Sequence, residues 1–304
     1  MRMRRHPPEE GLPPPRDGQP SRAASPAARH DGGVATTVDA LLEEWGLVRD
    51  GEPHASDRAR VLPVRGERGA AVLKVGVVEE RTEHEALALQ RWGGAGAVRL
   101  LRADPHRRAL LLERLPGPDL ADPAAGQWDV AACELVGAHL ARLHVDPPPQ
   151  VPRLATYVAG RTEALAGLPR DAPLPRRLVE QAVALGRSFV ADPGAERLLH
   201  TDLHHAHLVA GEDPDEWRAV SPKPLAGDPH SEVAPLLWHR WEEVAGDVRG
   251  ALRRRFHAAI DAALLDEDRA RDWVVVRTVH RALAHLADRE VVTRCVAVAK
   301  AVQE

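Results

Sequence analysis

Residues 198–238 read "LLHTDLHHAHLVAGEDPDEWRAVSPKPLAGDPHSEVAPLLW". His200, His204, His205 and His207 crowd around one carboxylate, Asp202, and the stretch runs through Ser221-Pro222-Lys223 to Gly227-Asp228-Pro229. Two kinds of chemistry use such a set. Imidazole nitrogens beside a carboxylate can hold a transition metal, and a single carboxylate in a histidine-flanked loop can orient a reacting hydroxyl. The rest of the chain has to decide between them.

At 304 residues the chain is long enough for one large or two modest domains with proper cores. It has 44% hydrophobic residues, 28% charged residues and a net charge of -4, ordinary values for a globular protein in water. No basic excess points to nucleic acid, no apolar run has the length of a membrane span, and the N-terminus lacks the apolar segment of a secretory signal. Cys133 and Cys295 lie far apart in no metal or redox spacing, so no disulfide is expected and the reducing cytoplasm is the expected setting. Among 41 lysines and arginines only Lys74, Lys223 and Lys300 are lysines, and the chain contains no asparagine. A lysine kept against that bias carries more information than usual.

Residues 1–36 are rich in Pro, Gly, Ser and Arg, with little to bury, and are expected to be a disordered tail. Beyond Thr37, a candidate N-cap, Val38, Leu41, Leu42 and Trp45 repeat on one helix face and Gly46 follows as a stop. The pattern then turns to strands. Ala59 to Val64 and Ala70 to Val75 flank Gly66-Glu67-Arg68-Gly69 as a hairpin. A helix is predicted over 81–92, and a second strand pair, 98–102 and 110–115, around Asp104-Pro105. From Pro116 onward the periodicity is mostly helical: Cys133, Val136, Leu140 and Leu143 share a face, as do Leu237, Trp241, Val244 and Val248. The expected organisation is a tail (1–36), a β-rich lobe (37–115) and a larger helical lobe (116–304), in an α+β chain.

Lys74 lies in "AVLKVG", where strand alternation sets it opposite Leu73 and Val75. A solvated strand lysine is the plain reading. A helix carrying Glu85 follows at once, however, and a lysine steadied by a helix glutamate is what a nucleotide site requires. The opening stretch supplies a matching half. In the pattern H-x-D-x-x-x-x-N the Asp orients the attacking hydroxyl and the Asn holds a metal, with a second metal-holding Asp after a short strand. On that pattern Asp202 falls on the base, His207 on the asparagine and Ser221 on the second aspartate.

Taken together, "VLPVRGERGAAVLKVG", "HEALAL", "GAVRLLRADPHRRALLLERL", "LARLHV", "HTDLHHAHLV", "SPKP" and "GDPHSEVA" resemble the aminoglycoside phosphotransferase superfamily, in its streptomycin and hydroxyurea kinase branch, over about residues 37–300. The resemblance implies a bilobal protein-kinase-like fold with ATP between the lobes. It implies that Lys74 steadies the phosphates and Glu85 holds Lys74, and that the segment containing Glu113 and Leu115 forms the adenine hinge. Asp202 would orient the substrate hydroxyl, while Lys223, Asp228 and Glu232 would belong to a downstream signature that is partly structural and partly substrate-facing, each being equally open to a loop or helix-cap role.

The chain also departs from that pattern. Magnesium wants oxygen ligands, and the two implied ligand positions hold an imidazole, His207, and a neutral hydroxyl, Ser221. Where a glycine-rich phosphate loop belongs, residues 51–61 read "GEPHASDRARV". The expected activity is therefore ATP-dependent phosphotransfer to a hydroxyl of a small molecule, weakened with magnesium. A non-catalytic, pseudokinase-like binding protein and a His/Asp metal-dependent hydrolase are the alternatives. A cationic aminoglycoside acceptor would call for an acidic pocket, for which "DEDRARDW", Glu232, Glu242 and Glu243 are the candidates.

Overall fold

A computed structural model describes residues 37–55, 59–76, 83–126, 129–213 and 215–303. The expected tail, and the tip of the segment read as lacking a glycine-rich loop, lie outside the described residues.

Helix α1 (37–45) already includes Thr37, so that residue is helical rather than a cap, and it ends at Gly46 with φ +62°. The strands that follow are β1 (Val48–Arg49), β2 (His54–Ala55), β3 (Ala59–Gly66), β4 (Gly69–Gly76), β5 (Leu100–Asp104) and β6 (Ala109–Glu113), with α2 (Glu85–Trp92) between β4 and β5. They form one antiparallel sheet in the order β1-β3-β4-β6-β5, with β2 also paired to β3. The hairpin read from the sequence is present, with Gly66 opposite Gly69. Alternation then sorts the two faces. Leu62, Val64, Ala71, Leu73 and Val75 pack with Val38 and Leu41 of α1, while Val61, Val72, Lys74, Leu110 and Leu112 face the other way, toward the second lobe.

That lobe holds α3 (Asp129–Leu143), α4 (Leu154–Ala166), α5 (Arg176–Ala191), α6 (Ala234–Leu237), α7 (Val248–Ala263), α8 (Glu267–Ala284) and α9 (Arg289–Ala301). Helix α3 packs on α7, α4 on α5, and α8 on α5 and α9. Two short antiparallel pairs cross it: β7 (Arg197–Leu199) with β10 (Leu225–Gly227), and β8 (Leu208–Ala210) with β9 (Trp217–Ala219). Leu237, Trp241, Val244 and Val248 do not share one helix. Trp241–Val244 is a separate 3₁₀ turn entered at Arg240 with φ +50°, and Asp247 starts α7 afresh by accepting from the Gly250 N–H. The periodicity was right locally but ran across two breaks.

The lobes meet at Pro116-Gly117. The Gly117 N–H donates to the Ala210 carbonyl at 3.2 Å, and a Cβ at Gly117 would stand 2.6 Å from Ala210 Cβ, so the crossing admits only glycine without movement. Trp92 Nε1 adds a 2.8 Å bond to the Leu143 carbonyl across the same boundary. No helix among the described residues is long and apolar enough to cross a membrane.

Candidate active site

The two faces enclose a cleft of about 540 Å³ lined by both lobes. Its ceiling is a β ladder: Lys74 of β4 lies between Val61 of β3 and Leu110 of β6, so the lysine projects from a patch of aliphatic side chains. Its ammonium reaches both carboxylate oxygens of Glu85, at 2.7 and 2.9 Å. Glu85 opens α2, where a carboxylate also suits the positive end of the helix. Both side chains are nearly out of water. Removing one partner of such a pair leaves a buried charge behind, at a cost of about 3 to 5 kcal/mol.

The floor is the segment between β7 and β8. Asp202, His207, Ser221 and Lys223 all line the cleft with Lys74 and Glu85. The backbone that presents Asp202 is held from three directions. The Thr201 N–H donates to Glu232 at 2.5 Å, the Thr201 carbonyl accepts from Arg277 at 2.8 Å, and the Thr201 hydroxyl donates to the Lys223 carbonyl at 2.5 Å. Thr201 has φ +60° and Ser221 has φ +58°, a region that β-branched and most other side chains avoid. Two such residues in one loop pair, each costing on the order of 1 to 3 kcal/mol, mark a conformation that the surroundings impose.

Asp202 itself meets the Lys223 ammonium at 2.9 Å. Burial pushes its carboxyl up, but Lys223 and the neighbouring His207 outweigh burial and hold it below its ordinary value. It is therefore an ionised acceptor near neutral pH. The imidazoles go the other way. Burial holds His200 and His239 at about 4, His205 at about 3, and His204 and His207 below the usual histidine value, so all are neutral near pH 7. His204 lies between two other rings, 3.4 Å from His239 and 3.9 Å from His207 between centroids. A stack of this kind requires uncharged imidazoles.

Ser221 Oγ accepts from Lys74 Nζ at 3.3 Å, so the position read as a metal ligand faces a cation. His207 places Nδ1 2.7 Å from the Asp202 carbonyl. The group Asp202, His204 and His207 brings one ligand atom from each residue within 4.8 Å of the others. Two imidazoles and one carboxylate suit a transition metal better than magnesium, and Asp202 already carries Lys223. With Ser221 neutral and turned toward Lys74, these residues do not fit a magnesium ion, which keeps oxygen ligands in octahedral geometry. A second group, Asp129, Cys133 and His205, lies under the loop, with Asp129 paired to Arg255 at 2.7 Å.

The other sequence-named residues divide. Glu113 and Leu115 line the cleft at the lobe junction, but the Glu113 carboxylate accepts from the Arg99 N–H at 2.8 Å and from its guanidinium. Asp228 and Glu232 are not brought to the cleft. Asp228 is 1% exposed and accepts from Trp273 Nε1 at 2.7 Å, from Arg269 and from the His230 N–H. Glu232 is fully buried between His144 Nε2 and the Thr201 N–H. Glu232 holds the loop that carries Asp202, whereas Asp228 caps its own turn and ties it to α8. Most of the acidic candidates for binding a polycation are engaged as well: Glu243 with Arg240 and Arg255, Glu242 with Arg294, Glu267 and Asp268 with Arg271, and Asp266 as the cap of α8.

Sequence reasoning missed His239 and Arg108. His239 joins the histidine stack from 32 positions beyond His207, which local spacing could not reveal. Arg108 lines the cleft one strand rung beyond Leu110, and the alternation of Leu112 and Leu110 was the available signal.

A protein-kinase-like pair of lobes around one cleft is the class that this geometry defines. The profile of the aminoglycoside/hydroxyurea antibiotic resistance kinases matches residues 44–288. The chain is 36% identical to a streptomycin 6-kinase of Streptomyces glaucescens, covering 83% of this chain and 82% of that one. It is 38% identical to a hydroxyurea phosphotransferase of Kitasatospora aureofaciens, covering 85% and 75%. Among solved structures, an aminoglycoside phosphotransferase superimposes with a TM-score of 0.60 at 14% identity, covering 88% of this chain and 99% of that one. The chain belongs to the family of aminoglycoside/hydroxyurea antibiotic resistance kinases, phosphotransferases that act on a hydroxyl of a small molecule.

Proposed function

We propose that the cleft binds ATP and transfers its terminal phosphoryl group to the hydroxyl of a small molecule, with residues 37–115 and 116–304 as the two lobes and the cytoplasm as the setting. The observation that carries this reading is the facing of two preformed elements across one cavity: Lys74 fixed by Glu85, and Asp202 held ionised beside Lys223.

ATP supplies the phosphoryl group. Val61, Val72, Val98, Leu110, Leu112, Val209 and Val220 offer an apolar slot of the kind that takes a flat base. Lys74 presents a compact charge to phosphate oxygens. Asp202 orients the acceptor hydroxyl and takes its proton as the oxygen attacks, a role that a carboxylate kept below its ordinary pKa performs through positioning more than basicity. Glu232 and Arg277 keep the Asp202 backbone in place. Magnesium has no adequate donor set here, so transfer is expected to be slow when magnesium is the only ion supplied.

Calorimetry with ATP tests the nucleotide half, and ATP consumption in the presence of streptomycin or hydroxyurea tests the transfer half. Binding that disappears in Lys74→Met supports the reading. A wild-type chain that binds no nucleotide with or without metal overturns it.

A further inference from the structure

Lys74 and Lys223 are both committed to carboxylates. Ser221 adds no charge, so a polyphosphate in this cleft lacks the positive charge that a metal ion would bring. Arg108 lies where such charge is needed. Leu112, Leu110 and Arg108 alternate on the cleft face, and all three line the cavity. Lys74 is opposite Leu110, and the Gly76 N–H donates to the Arg108 carbonyl at 3.0 Å, so Arg108 lies one rung past Lys74 on the side away from Glu113 and Leu115. Arg108 is two residues from Leu110, a chain separation of at most about 7 Å, within the span of a triphosphate tail. Gly76, beside it, carries no side chain to fill the space.

Two further observations single Arg108 out. Its Nη1 is buried without a hydrogen-bond partner, and no carboxylate among the described residues lies within ion-pair distance of its guanidinium, although Glu83 lines the same end of the cleft. Most arginines bordering this lobe behave otherwise: Arg65 and Arg114 pair with Asp50, Arg99 with Glu113, and Arg107 with Asp104 and Glu44. Arg108 also has φ +50° at the close of the β5–β6 turn, a conformation that glycine or asparagine would adopt at less strain. A strained residue that lines a cavity and leaves a buried guanidinium nitrogen unpartnered is a mark of a site rather than of a turn alone.

We propose that Arg108 is a phosphate-binding residue of this cleft, its guanidinium gripping the polyphosphate of a nucleoside triphosphate and supplying charge that the altered metal positions do not. A guanidinium takes phosphate oxygens in a bidentate fork, which a lysine at the same place would not reproduce. The inference rests on the reading of the cleft as a nucleotide site, and the test separates the two.

The full chain is titrated, free of divalent metal, with ATP, ADP and adenosine, for the wild type, Arg108→Ala and Arg108→Lys. The expected result is that Arg108→Ala weakens ATP by at least about 10-fold, the loss expected from one charge-assisted contact, weakens ADP less, and leaves adenosine unchanged. Arg108→Lys should recover only part of the loss. Equal weakening of all three ligands, or an unchanged ATP affinity in a normally melting variant, overturns the proposal and makes Arg108 a turn residue. If Arg108→Ala melts lower, the Arg108→Lys series carries the test, because it keeps the charge and changes only the fork. Failure of the wild type to bind any of the three instead removes the nucleotide reading itself.

Discussion

The ceiling and floor of the cleft have been treated differently by this sequence. On the ceiling, Lys74 and Glu85 are paired at 2.7 and 2.9 Å, in a chain with only three lysines among its 41 lysines and arginines. On the floor, Asp202 occupies the position proposed for the base, while the two positions that the resemblance assigns to metal ligands hold His207 and Ser221. On the proposed reading, phosphate binding through fixed cations and metal-assisted charge neutralisation are separable parts of one site. The first would rest on a β ladder whose register sets Lys74 between Val61 and Leu110, the second on two loop residues, His207 and Ser221.

The largest expected effect bears on the floor residue proposed as the base. Asp202→Asn removes the acceptor for the hydroxyl proton and should lower phosphotransfer by about 100- to 10,000-fold, while nucleotide affinity, set on the ceiling, changes little. Measured turnover alongside ATP calorimetry checks this. A variant that loses nucleotide binding and turnover together would show that floor and ceiling are not independent.

Next comes repair of the altered floor. His207→Asn with Ser221→Asp should raise ATP affinity in the presence of magnesium by about 100-fold, the scale on which one preorganised electrostatic contact acts, and leave affinity without magnesium nearly unchanged. Equal gains with and without the ion would mean that the changes act on the protein and not on metal binding.

A smaller effect separates support from contact. Asp228→Asn cuts into the carboxylate shared by Trp273, Arg269 and His230, and bonds to a buried charge are worth about 1.5 to 3 kcal/mol. The variant should melt lower by a few degrees while ATP affinity stays within about twofold. Lost affinity without lost stability would return Asp228 to the substrate-facing role that the resemblance implied.

Much of this arrangement was legible in the sequence, for a physical reason. The β3–β4 hairpin announces itself through two alternating runs and a glycine-bounded turn, and alternation alone puts Lys74 on the face opposite Leu73. The division into a β-rich and a helical part followed from residue types at fixed spacing, and the kinase-like fold from the resemblance of several motifs in order. What spacing could not show is where a carboxylate points once helices pack around it. Asp228 and Glu232 look identical in sequence to substrate-facing acids, yet the indole of Trp273, 45 residues on, and the imidazole of His144, 88 residues back, hold them inside. Arg108 was hidden among 38 arginines, and its place on the cleft wall together with its unpartnered nitrogen distinguishes it only in the structure.

The smallest expected effect concerns the helical scaffold under the floor and its response to acid. His280 of α8 is buried against Thr162 of α4, with its Nδ1 unpartnered. Burial, with Arg277 and Arg161 nearby, lowers it to about 3 from an ordinary 6.5. An unfolded chain therefore takes up this proton at a higher pH than the folded one. The contribution to stability is complete above about pH 6.5 and is lost as pH falls toward about 3, by at most about 1.4 kcal/mol per pH unit. Replacing His280 by Gln keeps a partner for Thr162 but removes the titrating group. Melting curves taken between about pH 7 and pH 5 should then fall less steeply for the variant than for the wild type, by about 1 kcal/mol over the unit below the ordinary histidine value. His280 is not among the residues that line the cleft, so ATP affinity should follow the same pH dependence in both proteins. A variant with the wild-type acid slope would mean that His280 takes up its proton in the folded state near its ordinary value and is therefore hydrated.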